Sequence, residues 1–142
     1  MRQPISATVL EREKLIAGRI AALHLKTDAE CIALLKRAVA SVNIDLEYTR
    51  IAHIIFGSQL NFLVQLAGTR SGLPKTSAQA AYSSAATQFP ELYRERSFED
   101  WLGYLLASGL VKVEGEQIDI TQYGSDFLKY LVDARLAYDR HG

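Results

Sequence analysis

The side chains that most often carry enzyme chemistry are few in this sequence, and their spacing matches no catalytic or metal-binding pattern. The chain has three histidines and one cysteine. His24 and Cys31 fall on different predicted helices and lack the closely spaced, paired ligands of a zinc site. Ser58 follows Gly57, but the flanking glycines and the strand-to-helix turn of a nucleophile elbow are missing. We therefore expect no catalytic residue, no cofactor and no metal, and the prediction is that the protein is not an enzyme.

Positive charge is concentrated in two predicted loops, around residues 70–75 and 94–96. Basic side chains placed just before helix N-termini, which themselves favour anions, can contact the phosphates of a nucleic acid. The alternative is that they pair with nearby glutamates such as Glu91 and Glu95 on a solvated surface. With one basic residue of a predicted hairpin added, the candidate nucleic-acid contacts are Arg70, Lys75, Arg94, Arg96 and Lys112.

A second candidate surface combines acidic and aromatic residues. Glu99 and Asp100 begin a predicted helix, where the helix dipole favours negative charge. Tyr104 lies off the apolar stripe of that helix, and tyrosine is favoured as an anchor of protein interfaces. The alternative is that the aromatic residues between 82 and 104 pack into the core, as most of their spacings favour. The candidate protein-partner face is Glu99, Asp100 and Tyr104.

Composition and charge bound the class of protein. The chain has 142 residues, 49% of them hydrophobic, and a net charge of zero, which is typical of one globular domain or a small domain with an extension. Residues 97–142 carry four basic and eight acidic side chains, a net charge of −4, which is unfavourable for non-specific DNA binding. No apolar run approaches the ~20 residues of a membrane span, and no secretory signal is apparent. With a single cysteine, these features predict a cytoplasmic protein.

Residues 1–45 predict an N-terminal helical hairpin. Thr8 with Glu11, and Thr27 with Glu30, have the spacing of capping boxes, which start helices running to about residues 24 and 41. A connection of about three residues favours an antiparallel arrangement. The apolar stripes are Ile16, Ile20 and Leu23 on the first helix and Ile32, Leu35 and Val39 on the second. We interpret this segment as an extension that serves dimerisation or packs across the domain, and the partners expected are another protein or a second copy of the chain.

Residues 46–142 predict one mainly α domain. A largely apolar helix covers about residues 46–67, and a helix rich in alanine and serine follows and ends before Pro90. Ser97 is the expected N-cap of the next helix, and Gly109 suits the left-handed residue that ends it. Residues 110–113 and 117–120 predict a β-hairpin, and Thr121 starts the last helix.

The order of these C-terminal elements resembles the winged-helix superfamily, in which a recognition helix is followed by a β-wing and a further helix. The matching positions are Leu105, Gly109, Leu110, Val111, Ile120, Thr121, Gly124, Phe127 and Leu128. The resemblance covers about residues 46–135 and implies a three-helix core with a small β-hairpin wing, preceded by the N-terminal hairpin and followed by the C-terminal helix. One departure is that residues 90–96 make a longer connection than the tight turn of a simple helix-turn-helix.

The resemblance also implies which residues of the recognition helix face outward and are free to contact DNA or another partner. The outward face of the recognition helix would be Glu99, Asp100, Gly103, Tyr104 and Ala107. None of these is an arginine, lysine, asparagine or glutamine, the usual readers of bases in the major groove. We therefore expect a non-catalytic protein-interaction or regulatory module. The alternative is a DNA-binding transcriptional regulator that contacts DNA through the basic loops 70–75 and 94–96.

Overall fold

The computed structural model describes the backbone of residues 5–139 and the side chains of residues 5–135. The chain divides into two compact units, Met1–Ile44 and Asp45–Gly142. The outer ends of the two predicted segments, residues 1–4 and 140–142, lie outside the described residues. The described part is mainly helical with a small antiparallel sheet, and none of its helices is long and apolar enough to cross a membrane. Its elements are α1 (Ala7–Ala22), α2 (Asp28–Ile54), α3 (Gly57–Ala67), β1 (Leu73–Pro74), α4 (Lys75–Gln88), α5 (Pro90–Tyr93), α6 (Phe98–Ala107), β2 (Val111–Glu114), β3 (Gln117–Ile120) and α7 (Gln122–Asp139).

Helix α1 begins two residues earlier than its predicted capping box. The N-cap is Ser6, whose hydroxyl accepts a hydrogen bond from the Val9 amide at 3.3 Å. The second capping box forms as predicted. The Glu30 amide donates to the Thr27 hydroxyl at 3.2 Å, and the Glu30 carboxylate accepts from the Thr27 amide at 3.2 Å. Two unpaired amides at the start of α2 are thereby satisfied.

Helix α2 is longer than the sequence predicted. It runs unbroken to Ile54, so the break predicted between residues 41 and 46 is wrong. No glycine or proline occurs there, so nothing in the backbone chemistry ends the helix. The break comes instead at Ile55 and Phe56, inside the predicted helix 46–67. There the side chain of Gln59 accepts a hydrogen bond from the Phe56 amide at 2.9 Å and starts α3.

The sheet contains one strand that the sequence pattern did not indicate. The two-residue strand β1 pairs antiparallel with β3, which gives the strand order β1-β3-β2. Leu73 lies opposite Ile118, and the Lys75 amide donates to the Glu116 carbonyl at 2.8 Å. The segment between α3 and α4 is thus tied to the edge of the hairpin.

The C-terminal elements form as predicted. Ser97 and Asp100 exchange hydrogen bonds of 3.1 and 3.2 Å in a capping box at the start of α6. Gly109 has a φ of 74°, the left-handed conformation expected where this helix ends. The Thr121 hydroxyl donates to the Gly109 carbonyl at 2.5 Å and accepts from the Gly124 amide at 3.0 Å, which joins the hairpin to α7.

The core of the second unit lies between α3, α4, α6, the hairpin and α7. Its largest side chains with under 2% of their surface exposed are Trp101, Phe62, Phe127, Leu63, Leu66, Leu105, Leu110 and Ile118. On α4 the buried residues are Ala78 and Ala85, whose small side chains let the neighbouring helices approach closely.

Candidate interaction surface

Helix α6 is fixed to α3 by a buried polar network around Trp101. The Trp101 indole donates to the Ser58 hydroxyl at 2.9 Å, and Ser58 shares a hydrogen bond of 2.5 Å with the Tyr93 hydroxyl. The side-chain amide of Gln59, only 1% exposed, donates to the Trp101 carbonyl at 2.7 Å. These partners are distant in the sequence, so no local pattern indicated the network. It gives Ser58 a structural role and holds the outward face of α6 in a defined place.

The outward face of α6 begins with two exposed carboxylates. Glu99 and Asp100 are both exposed, and Asp100 also caps the helix through the Ser97 amide. Tyr104 is only half-exposed, so the expectation of a freely exposed aromatic at this position needs correction. The large apolar side chain that α6 does expose is Leu106, at 40%. Before α6 in the chain, Phe89 is an aromatic residue that is 49% exposed.

Arg94 and Arg96 lie in an open depression together with acidic residues. The depression is lined by both arginines, Glu91, Glu95 and Asp100, and by the apolar side chain of Leu92. The Arg94 guanidinium forms an ion pair of 2.7 Å with Glu91, and both side chains are largely exposed. The Arg96 guanidinium lies 4.5 Å from the centre of the Phe56 ring, a cation–π contact. Arg94 thus pairs with a glutamate in the way the solvated-surface alternative describes, whereas Arg96 contacts an aromatic ring.

The remaining basic candidates lie around the sheet. Lys75 directly follows β1, and Lys112 is on β2, opposite Asp119 on β3. The Lys112 ammonium bonds to the Glu114 carboxylate at 2.9 Å, and this hydrogen bond raises the pKa of Lys112. Among the described side chains, Arg70 and Lys75 have no ion-pair partner, and no hydrogen bond or ion pair joins them to the arginines of the depression. We call Arg94 and Arg96, which line the depression, one basic set and the other three candidates the second basic set.

A groove of about 370 Å³ runs between α3 and α4 and ends at α5. Polar side chains line its two walls: Asn61 and Gln65 on α3, and Ser84 and Gln88 on α4. Phe89 and Leu92 line its end, and Leu92, which is 59% exposed, also lines the depression beside Asp100. Leu92 therefore lies between the groove and the acidic start of α6, and Phe89 lies beside it at the end of the groove.

A tyrosine cluster near the end of α2 has perturbed ionisation but no open site. The Tyr123 hydroxyl donates to the Glu47 carboxylate at 2.6 Å, and the Tyr48 hydroxyl donates to the Tyr123 carbonyl at 3.0 Å. Burial, followed by the hydrogen bond to Glu47, raises the pKa of Tyr123, and burial likewise raises the pKa of Tyr48. Both phenols are satisfied donors in their protonated form, so the shifts reflect packing of α7 against this part of α2.

Within residues 5–135, no three histidine, cysteine, aspartate or glutamate side chains are grouped so that they could hold a metal ion. Comparison of the chain with protein-family models, with curated proteins and with solved structures gives no match. Inferences about function consequently depend on the surfaces described above.

Proposed function

We propose that this chain is a non-catalytic winged-helix protein that acts as a protein-interaction or regulatory module, with its contact surface on α5 and the start of α6. One observation carries the proposal. Helix α6, in the position of a recognition helix, exposes Glu99 and Asp100 and contains no lysine, arginine, asparagine or glutamine. A helix of this composition has neither the donors that read base edges nor the charge that attracts phosphates.

The winged-helix part of the proposal is supported by the order of elements. Three longer helices, α3, α4 and α6, precede the hairpin, and the hairpin follows α6 after a left-handed glycine. At the start of α7 the Gly124 amide donates to the Thr121 hydroxyl, and the resemblance gives this pair the role of opening the closing helix. The short helix α5 between α4 and α6 is the departure from the simple pattern.

The protein-interaction part is supported by the apolar side chains next to the acidic ones. Phe89 and Leu92 are 49% and 59% exposed. Aromatic and aliphatic anchors inside a polar rim are typical of protein interfaces. Since the neighbouring helix end carries Glu99 and Asp100, the partner surface expected here is apolar with basic residues at its edge.

A site-directed photo-crosslinking experiment in extract of the native host tests this proposal. A photoreactive amino acid at position 92 should give nuclease-resistant adducts of defined mass. The matched control is position 132 on α7, because Val132 is 58% exposed but remote in sequence from the proposed surface. Adducts at 92 that nuclease removes, or equal protein adducts at both positions, would contradict the proposal.

A separate measurement tests the DNA-binding alternative. Fluorescence anisotropy with duplex fragments at low salt should show no tight binding. The charge-reversal pairs R94E/R96E and R70E/K75E separate the two basic sets. Nanomolar, salt-dependent binding that either pair abolishes would establish the DNA-binding function instead.

A further inference from the structure

The first unit leaves most of its apolar side chains uncovered. No residue of α1 is buried. Twelve large apolar side chains between Ile5 and Ile44 are 37% to 65% exposed. Most helix stability in proteins comes from packing of an apolar face rather than from helix propensity. The arrangement therefore points to a surface that another chain covers.

The exposed residues of α2 follow the heptad spacing of a coiled coil. They recur at alternating intervals of three and four residues and form what we call the α2 seam: Ile32, Leu35, Val39, Val42 and Leu46, which are 52%, 38%, 58%, 65% and 49% exposed. In heptad notation Ile32, Val39 and Leu46 take position a, while Leu35 and Val42 take position d. The next d position, Thr49, is used within the chain, where its hydroxyl bonds to Tyr130 at 2.8 Å. The seam thus ends at Leu46.

The types of residue in the α2 seam favour pairing with a second copy of the same helix. β-branched residues at position a with leucine at d favour two parallel strands. Ile32, Leu35 and Val39 fit that rule, whereas Val42 at d and Leu46 at a do not. In a parallel pair, Asp45 at position g of one copy lies near Arg50 at position e of the other. Both side chains are exposed, and neither has an ion-pair partner among the described residues. Opposite charges at these flanking positions select a parallel register.

Helix α1 supplies the rest of the apolar area. It carries Val9, Ile16 and Leu23 at intervals of seven residues, and they are 54%, 43% and 56% exposed. Without Ile44, which faces away from the seam, the other eleven side chains together expose on the order of 550 Å² of apolar surface, taking about 100 Å² for each fully exposed one. A stable interface buries about 800 Å² per partner, of which about 65% is apolar in homodimers, so the α2 seam alone, at about 260 Å², is insufficient and both helices are needed. We propose that the protein is a homodimer whose α2 helices pair in parallel along the α2 seam, with α1 of each copy completing the bundle. This inference is independent of the surface proposed on α5 and α6.

Sedimentation equilibrium of the full chain tests the dimer. The expected mass is twice the 15.8 kDa of one chain. The L35E/V42E variant places two charges in the seam and should weaken dimerisation at least about 100-fold, because each charge would be buried without a partner. The matched control is I44E. Ile44 is on the same helix and is 41% exposed, but it takes heptad position f, which faces away from the seam. Circular dichroism checks that each variant remains helical.

Disulfide formation tests the parallel orientation. In the C31S background, which removes the one native thiol, V42C should form an intermolecular disulfide under mild oxidation, because equivalent d residues of a parallel pair lie within disulfide reach. I44C is the control and should stay reduced. A monomeric wild-type chain, or a dimer that L35E/V42E leaves intact, would overturn the proposal. A dimer in which V42C fails to cross-link would overturn the parallel pairing.

Discussion

Replacing Gly124 with alanine should destabilise the second unit, because the start of α7 touches the hairpin backbone there. A Cβ at this position would lie 2.2 Å from the Leu110 carbonyl oxygen and 2.9 Å from Cγ1 of Ile120. The carbonyl cannot easily move away, since Leu110 is fully buried and its oxygen accepts the Thr121 amide at 3.0 Å. The first turn of α7 must therefore shift away from the hairpin.

The size of the effect follows from the opposing contributions. Overpacking in a core costs about 1–3 kcal/mol, and loosening the hydrogen bonds around Thr121 adds about 1 kcal/mol. Alanine is preferred over glycine inside a helix by about 1 kcal/mol, which offsets part of this cost. The net loss in the free energy of unfolding should be about 1–3 kcal/mol, which lowers Tm by roughly 5–15 °C for a domain of this size.

Gly103 provides the matched control for this prediction. It lies in the interior of α6, and an added Cβ would meet nothing within 4 Å. Gly103→Ala should raise the free energy of unfolding by about 0.5–1 kcal/mol through helix propensity. Urea titration followed by the fluorescence of Trp101, the one tryptophan of the chain, reports on this unit for both variants. Equal midpoints for Gly124→Ala and Gly103→Ala would refute the close approach of α7 to the hairpin.

Three further predictions concern hydrogen bonds. Gln59→Ala should lower the free energy of unfolding by about 2–4 kcal/mol, because the Phe56 amide and the Trp101 carbonyl lose their partner. Urea titration measures this loss, and an effect below about 1 kcal/mol would argue against the network. Ser97→Ala should cost about 1 kcal/mol by loss of the α6 N-cap, with Ser97→Asp close to wild type in the same assay. Since its pKa is raised, Tyr123 should keep its proton in the folded chain when the unfolded chain begins to lose it near pH 10. Stability should therefore be unaffected by this group below that pH and fall above it by up to about 1.4 kcal/mol per pH unit. Tyr123→Phe should flatten that alkaline slope in thermal melts, and an unchanged slope would assign it to other groups such as Tyr48.

The elements that the sequence predicted well are those decided by local chemistry. The Ser97 N-cap and the left-handed Gly109 each need only a few neighbouring residues. The strand β1 was missed because a two-residue strand containing Pro74 has no periodicity, and its pairing depends on β3 more than forty residues later. The break after α2 was likewise misplaced. It is set by Gln59, whose side chain accepts the Phe56 amide and donates to the Trp101 carbonyl across the core, a contact between residues distant in the sequence.

Side-chain exposure was harder to predict than helix position. The stripe of α6 was identified by its spacing, and its buried members Trp101, Leu102 and Leu105 were placed correctly. Tyr104 was expected to be exposed because it lies off the stripe, yet it is half-buried. No pattern in the sequence predicted the exposure of Leu92. It depends on α5, a four-residue helix whose direction is set by Pro90 and by the burial of Tyr93.

The salt dependence of DNA binding through this surface can be bounded from its basic candidates. Arg94 and Lys112 form exposed ion pairs with Glu91 and Glu114, which a phosphate can displace at little cost. Five phosphate contacts would give a salt dependence of roughly the 4.5 power, or about 500-fold between 50 and 200 mM salt. Proteins that bind DNA through six to ten contacts lose roughly 10³- to 10⁵-fold over that range. Even if the basic sets reached one duplex together, binding would be weak at physiological salt and opposed by the carboxylates at the start of α6. This surface fits a protein partner better, because those carboxylates and the exposed apolar side chains beside them can contribute to a protein interface.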